Sequence, residues 1–247
     1  MPECLKRVDE VMAFRLLSKR ASTRKLADKP TRFQTENFPK SHYIVIPEVS
    51  SENRRYIPMG YLSPEVLCSN KLRIMPDATP FHFGVLMSSV HNAWVRAVCG
   101  RLKSDYDYSI KVVYNNFPWP ESLLSLWGDS ESRSLGEDSK ISPSLQNSKT
   151  PISESNEALR TLRSLRQKIE QTAQAILDAR AKYPDATLAQ MYGDKMYLFP
   201  ELVAAHEAND RAVLAAYGLA PDTPEMDIVA HLFRLYAGKA SLKDMQE

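Results

Sequence analysis

The sequence predicts a mixed α+β region over residues 1–120 and a small all-helical bundle over residues 157–247. Two observations carry this prediction. Short β-favouring runs that end at a proline lie before residue 120, whereas apolar residues recur at helical spacing after residue 157. Between the two regions, residues 121–156 hold 11 serines in 36 positions. Such a composition cannot bury enough apolar surface to offset the entropy of ordering, which predicts a flexible linker.

The first region alternates helix and strand signals. Apolar residues at helical spacing predict a helix over residues 4–19. Thr79 is a suitable N-cap, Pro80 suits a first turn and Gly100 suits an end, which predicts one helix over residues 79–100. Strands are predicted over residues 43–46, 55–57, 72–75 and 104–116.

The second region reads as helices with short connections. The predicted segments are a long helix from residue 157 to about 183, a short turn over 187–192, a helix from Pro200 to Gly218 and a last helix beginning at residues 223–225. Three or four such helices make a small bundle.

Charge is distributed unevenly along the chain. Residues 1–120 carry 18 Lys and Arg against 11 Asp and Glu, whereas the remaining residues carry 14 against 19. A basic half joined to an acidic half indicates that only the first half faces a polyanion. The three cysteines form no CxxC pair, and no apolar run has the length of a membrane span. We therefore expect a reduced, cytoplasmic protein that contacts no membrane.

Sequence traces of catalysis are absent from the chain. It contains no GxGxxG or GxxxxGK[ST] loop and no Asn-Pro-Pro-aromatic motif, so we expect it to bind no cofactor or metal and to hold no catalytic residue. Asn116 is followed by Phe117, and we interpret this segment as a structural end against which Trp119 packs. The partial nuclease motif Asp138-Ser139-Lys140 lies in the predicted linker, and we interpret it as a chance match.

The segment over residues 101–109 alternates long polar side chains with apolar or aromatic ones. On a single strand, Arg101, Lys103, Asp105 and Asp107 would share one face, while Leu102, Tyr106 and Tyr108 would pack inward on the other. Lys103 could donate to guanine O6 and N7 while Asp105 accepts from cytosine N4, which suits one G·C pair. A solvated edge strand with charges of both signs is the alternative interpretation.

Two further basic pairs, Arg54-Arg55 and Arg24-Lys25, also allow two interpretations. They would be phosphate contacts if they face nucleic acid and ordinary surface residues otherwise.

Several longer runs resemble the MmeI-like family of type II restriction–modification enzymes and related methyltransferases. They are RYIP at residues 55–58, PDATPFHFGVL at 76–86, HNAWVR at 91–96, GRLKSDY at 100–106 and VYNNFPWP at 113–120. The resemblance implies a nuclease domain, a SAM-dependent adenine-N6 methyltransferase, a target-recognition domain and a helical C-terminal domain in series. On this basis residues 1–120 would be an N-terminally incomplete target-recognition domain and residues 157–247 the C-terminal domain.

The resemblance also implies a function. The chain would be the sequence-specific DNA recognition module of an adenine-N6 methyltransferase, a fragment whose catalytic and SAM-binding domain lies upstream. Its expected partners are double-stranded DNA and a separately encoded methyltransferase part. The family pattern places base contacts at Lys103, Asp105 and Asp107, and the expected DNA-backbone contacts are Arg24, Lys25, Arg54, Arg55 and Arg101. The alternative is a stand-alone interaction or regulatory protein whose helical bundle docks on a partner.

Overall fold

The computed structural model of the chain describes residues 1–33, 36, 39–120, 123 and 152–244. Two compact units divide it, Met1–Lys40 and Ser41–Glu247. The predicted fold class is confirmed, since a mixed region with small antiparallel sheets is followed by helices. Most of the predicted linker, including residues 138–140, lies outside the described residues.

The first unit contains helix α1 (Pro2–Leu16), as the apolar spacing predicted, and the short helix α2 (Ala21–Arg24). Arg15 connects α1 to the loop that follows α2. Its guanidinium donates to the carbonyl oxygens of Leu26, Lys29 and Arg32 at 2.9, 2.7 and 2.7 Å. Helix α1 buries none of its residues.

One three-stranded sheet has β1 (Tyr43–Pro47) at its centre, with β3 (Gly60–Leu62) and β4 (Leu72–Met75) antiparallel on either side. The predicted strands at 43–46 and 72–75 are confirmed. The predicted strand at 55–57 is wrong, because its polar groups bond to helices rather than to a ladder. The Ile57 N–H donates to Asn92 Oδ1 at 2.9 Å, and the Tyr56 hydroxyl donates to Asp210 at 2.6 Å.

The second sheet has the order β2 (Val49–Ser50), β6 (Asp105–Asp107) and β5 (Gly100–Leu102), with antiparallel pairs. The predicted strand over residues 104–116 is wrong beyond Asp107. A π-helix, Ile110–Tyr114, follows, and the Ser109 side chain accepts a hydrogen bond from the Val112 N–H at its start. The Val113 carbonyl inside it accepts from Trp94 Nε1 at 3.0 Å, which satisfies a buried indole instead of a strand neighbour.

The single helix predicted over residues 79–100 is also wrong, since α3 (Pro80–Leu86) and α4 (Ser89–Val98) are separate. Ser88 makes the break. Its hydroxyl donates to the Val85 carbonyl at 2.7 Å and accepts from the His91 N–H at 3.3 Å, so it caps the second helix. The predicted N-cap at Thr79 is confirmed, and its N–H donates to His82 Nδ1 at 3.2 Å.

The helices after residue 151 follow the prediction closely. They are α5 (Ile152–Ala181), α6 (Leu188–Met191), a 3-10 turn (Met196–Leu198), α7 (Pro200–Ala216) and α8 (Glu225–Asp244). Helix α5 begins five residues before its predicted start, within the segment predicted as linker. Gly218, predicted to end α7, has a φ of +68°, a conformation that glycine adopts without strain.

Elements on both sides of residue 120 build one hydrophobic core within Ser41–Glu247. Gly84 in α3 permits close approach to α5, because an added Cβ would lie 2.8 Å from Ile169 Cγ2 and 3.1 Å from Ala173 Cβ. Trp94 of α4 packs against Phe233 of α8 with ring centroids 5.2 Å apart. The strands and α3–α4 therefore depend on the later helices for the burial of their apolar faces.

A buried polar network reinforces this junction. Arg180 of α5 donates to the Met59 carbonyl at 2.8 Å and to the Tyr192 hydroxyl at 2.6 Å. That hydroxyl lies 2.7 Å from His206 Nε2, and the His206 ring stacks on Tyr56. Burial lowers the pKa of His206 well below its usual value, so the imidazole is neutral and forms part of the core.

Candidate nucleic-acid interface

Strands β5 and β6 form a hairpin that carries three of the predicted base-reading residues. Its register pairs Gly100 with Asp107, Arg101 with Tyr106 and Leu102 with Asp105. Lys103 and Ser104 are therefore the two turn residues, and Lys103 lies at the tip with a φ of +59°. Two-residue hairpin turns require positive φ at one or both positions, which glycine and asparagine supply most easily.

The two faces of the second sheet differ in chemistry. Residues directly opposite each other in antiparallel strands share a face. Leu102 with Asp105, and Val49 with Asp107, therefore lie on one face, which we call the outer face. Leu102 and Val49 are 56% and 40% exposed, which shows that solvent reaches this face. The opposite face carries the buried residues Tyr106 and Ser50 and is called the inner face.

Arg101 lies on the inner face, which corrects the prediction that it shares a face with Asp105 and Asp107. Because the chain reverses at Lys103, Arg101 pairs with Tyr106, and its guanidinium lies 3.9 Å from the centroid of the tyrosine ring. A guanidinium over an aromatic face is attracted by the ring quadrupole. Arg101 therefore covers the Tyr106 ring on the inner face of the hairpin sheet.

Lys103, Asp105 and Asp107 make no hydrogen bond or ion pair through their side chains to another residue of the described chain. Lys103 is exposed, Asp107 is exposed and Asp105 is partly buried. A lysine offers three donors, and a carboxylate offers only acceptors. The tip and outer face thus present a donor and two acceptors that no contact among the described residues uses.

Buried contacts hold the hairpin in place. The Tyr108 N–H donates to the Glu48 carbonyl at 2.8 Å, and the Tyr108 hydroxyl lies 3.0 Å from His91 Nε2. Burial lowers the pKa of His91 to about 3, so this histidine is neutral at pH 7. The thiol of Cys99 donates to the Asp107 carbonyl at 3.1 Å. The bonds of Tyr108 anchor the end of β6 to the core, and the bond from Cys99 joins the start of β5 to that end.

The remaining predicted cations are dispersed. Arg54 donates to Ser50 Oγ at 3.2 Å, beside the inner face of the same sheet. Arg55 instead lies over the Tyr56 ring and 3.9 Å from Glu207 of α7. The structure therefore groups Arg54 with the hairpin sheet and places Arg55 against the C-terminal helices.

Arg24 and Lys25 belong to the other unit, Met1–Lys40. Arg24 donates to the carbonyl oxygens of Ser18 and Lys19 at 2.8 and 3.0 Å, which gives its guanidinium a local structural role. Lys25 is exposed at the end of α2.

Sequence reasoning missed the outward orientation of Leu102, which the alternation pattern placed among inward-facing residues. The turn that reverses the parity holds neither glycine nor asparagine, so no residue signalled it. The packing predicted for Trp119 is confirmed. Trp94 is buried, and Trp119 packs edge-on against Phe117 and Tyr114.

Two kinds of feature are absent from the part of the chain that the structure describes. No group of three or more His, Cys, Asp or Glu side chains is arranged there to hold a metal ion. No helix in this part of the chain combines the length and apolar character needed to cross a membrane.

Comparisons with known proteins agree with these features. Residues 1–121 match the family described as MmeI, target recognition domain, and residues 163–242 match MmeI, C-terminal domain. DNA methyltransferase A of Bacillus subtilis (strain 168) is 48% identical over 99 residues, which are 40% of this chain and 11% of that protein.

A solved structure of the Type IIL restriction-modification enzyme MmeI in complex with DNA is similar over the whole described fold. It superposes with a TM-score of 0.71 at 35% identity and covers 98% of this chain, which spans 27% of that enzyme's chain. The two family matches together take in most of the sequence, on both sides of residues 122–162. The chain therefore belongs to the MmeI family, of which it holds the target recognition domain and the C-terminal domain.

Proposed function

We propose that this chain recognises a specific sequence of double-stranded DNA on behalf of an adenine-N6 methyltransferase of the restriction–modification type. The hairpin Gly100–Asp107 is its base-reading element. The observation that carries the proposal is the set of unpaired polar groups at the tip and outer face of this hairpin, in a domain that matches MmeI target recognition. The similar MmeI structure was solved in complex with DNA.

The chemistry of the hairpin fits the major groove. Guanine presents O6 and N7 as acceptors, and cytosine presents an amino group at C4 as a donor. Lys103 at the tip supplies the donor, and Asp105, two residues further on, supplies the acceptor, so together they suit one G·C pair. Asp107 offers a second acceptor further from the tip, toward a neighbouring base.

Phosphate contacts are assigned to the dispersed cations. Arg54 belongs to the same sheet region as the hairpin and donates to Ser50 Oγ on its inner face. Arg55 and Arg101 each lie over a tyrosine ring, and Arg24 donates to backbone carbonyl oxygens, whereas Lys25 is exposed. Counter-ions released from phosphates make such binding weaken as salt rises. The affinity for duplex DNA should therefore fall steeply between 50 and about 200 mM salt.

Selection from a library of duplexes with a randomised centre tests base reading by the full chain. The wild-type chain should enrich one sequence. The double variant Lys103→Glu with Asp105→Arg should enrich the same sequence with one G·C pair reversed to C·G. The discrimination at that pair should amount to about 1–3 kcal/mol.

A matched control reverses another exposed charge pair without changing net charge. Asp194→Arg with Lys195→Glu alters the loop before α7 and should enrich the wild-type sequence. An unchanged sequence for the hairpin variant would refute base reading by Lys103 and Asp105. Absence of duplex binding at low salt would refute DNA recognition altogether.

A protein partner is the second part of the proposal. The large apolar side chains of Met1–Lys40 are largely exposed, among them Leu5, Phe14, Leu17 and Phe33 at 67, 75, 85 and 67%. Exposed apolar side chains of this number favour a protein contact. A methyltransferase part, which would also bind S-adenosylmethionine, is the partner that we propose. Co-purification of the chain with such a part, lost in Phe14→Asp, is the measurement.

A stand-alone regulatory protein remains the alternative function. It predicts no sequence preference in the duplex selection, so the same experiment separates the two.

A further inference from the structure

The outer face of the hairpin sheet repeats one chemical pattern twice. Asp105 lies directly opposite Leu102, and Asp107 lies directly opposite Val49. Each carboxylate thus has an exposed aliphatic side chain as its cross-strand neighbour. Directly opposite Cβ atoms in antiparallel strands are about 4.5–5.5 Å apart.

This pairing corresponds to the major-groove edge of a pyrimidine. Cytosine carries its amino group on C4, and the adjacent ring atom C5 carries a hydrogen, or a methyl group in 5-methylcytosine and thymine. A carboxylate accepts from the amino group of cytosine, and an apolar side chain contacts a C5 methyl group. An acid and an aliphatic side chain one strand apart can therefore contact neighbouring atoms of one ring.

We propose that Leu102 reads the C5 edge of the cytosine whose amino group Asp105 accepts, so that the hairpin binds 5-methylcytosine more tightly than cytosine at that position. This inference rests on the proposed DNA-recognition function. Leu102 is 56% exposed, and the residue directly opposite it in the hairpin is Asp105. The leucine therefore has room to adjust to an added methyl group rather than clash with it.

Comparison with the pair Asp107 and Val49 shows why the preference for 5-methylcytosine is assigned to Leu102. Val49 is shorter, 40% exposed and at the base of the sheet, whereas Leu102 directly precedes the tip. On the other side of Asp107 lies Gly100, which has no side chain to contact a base. The methyl effect should accordingly be largest at the position that depends on Asp105.

Duplex selection first identifies that position. Wild-type chain and the Asp105→Ala variant are selected in parallel, and the cytosine whose preference disappears in the variant is the one assigned to Asp105. Dissociation constants are then measured for duplexes carrying either cytosine or 5-methylcytosine there. Burial of one methyl group should tighten binding by about fourfold.

Two aliphatic truncations locate the effect. Leu102→Ala should bring the ratio of the two dissociation constants to near one, while Val49→Ala, on the same face but in the other pair, should leave the ratio unchanged. Both substitutions are at exposed positions, so the fold is retained.

The outcomes separate the two proposals. Equal binding of cytosine and 5-methylcytosine by the wild type, or a methyl preference that survives Leu102→Ala, overturns the proposed role of Leu102 and leaves the base-reading function standing. A selection that returns no preferred sequence, or one that Asp105→Ala leaves unchanged, overturns the proposed base-reading function and the role of Leu102 with it.

Discussion

Lys103 occupies a backbone conformation that its residue type does not favour. Its φ of +59° is in the left-handed region, where a residue other than glycine raises the energy of the folded chain by about 1–2 kcal/mol. Glycine or asparagine would make this two-residue turn with less strain. Strained residues of this kind are concentrated at functional sites, which supports the base-reading role that we propose for Lys103.

Lys103→Gly should raise the free energy of unfolding by about 0.5–1 kcal/mol, because relief of strain exceeds the extra entropy of glycine in the unfolded chain. The same substitution should abolish the preference for guanine opposite the Asp105-dependent cytosine. Urea denaturation and duplex selection measure the two effects.

The neighbouring turn residue supplies the control for this prediction. Ser104 is not at positive φ, so Ser104→Gly should lower the free energy of unfolding. A destabilised Lys103→Gly variant would show that the turn is not strained.

At the same scale, the sequence predicted part of the site. The alternation of residues 105–107 was sufficient to place Asp105 and Asp107 on one face. It misplaced Arg101 and Leu102, because parity can be counted only along a continuous strand and the turn at Lys103 and Ser104 holds neither glycine nor asparagine. Hydrogen-bonded register between strands is a tertiary property that local patterns do not encode.

At the scale of elements, helices with capping residues were the most predictable. Thr79, Thr187, Pro200 and Gly218 each lie at or beside the helix end that they predicted. Capping is a local interaction between a side chain and the backbone of the adjacent turn, so it can be read from a few residues. Ser88 is the exception, since its capping role competed with an apolar stripe that ran through it.

Strands were less predictable because their partners are distant. The β-favouring residues 55–57 bond to Asn92 and Asp210, which no local pattern could indicate. Conversely, β3 begins with Gly60, whose added Cβ would lie 2.8 Å from Val45 Cγ2, so strand pairing there requires a residue of low β propensity. Tertiary contacts overrode propensity in both places.

Gly84 and Gly238 form a matched pair within helices. Alanine usually stabilises a helix relative to glycine by about 1 kcal/mol. Gly84→Ala should instead destabilise the protein by about 1–3 kcal/mol, because its Cβ would lie 2.8 Å from Ile169 Cγ2 and 3.0 Å from Asn209 Oδ1.

Gly238→Ala meets no atom within 4 Å and should show the ordinary stabilisation of alanine in a helix, about 0.5–1 kcal/mol. Thermal or urea unfolding of both variants measures the difference. Equal effects of the two substitutions would contradict the close packing of α3 on α5.

At the scale of the whole molecule, buried histidines make stability depend on pH. Burial lowers the pKa of His91 to about 3, that of His82 to about 4 and that of His206 well below its usual value. The unfolded chain protonates these groups near pH 6.5, while the folded chain leaves them neutral. Stability contributed by a histidine with a lowered folded pKa is complete above pH 6.5 and is lost as the pH falls below it.

The free energy of unfolding should therefore fall between pH 6.5 and about 4, by about 1.4 kcal/mol per pH unit for each such histidine. Burial raises the pKa of Asp210, so proton uptake by that folded carboxyl group offsets part of the fall. Urea denaturation at pH 7 and pH 5 gives the slope, and His91→Gln should make it shallower. Equal stability at the two pH values would contradict the buried neutral state.

The core shared across residue 120 bears on how new sequence specificities can arise by recombination. A crossover that exchanged residues 41–120 between relatives, but kept the resident helices, would set a foreign α3 against Ile169, Ala173 and Asn209. A crossover confined to the hairpin would leave those contacts unchanged, because the hairpin is held to the core through its inner face and its ends rather than through its outer face. A new DNA target specificity should thus be acquired by small replacements within residues 100–107 or by transfer of the whole of residues 41–244. Exchanges of intermediate length should misfold and be lost by selection.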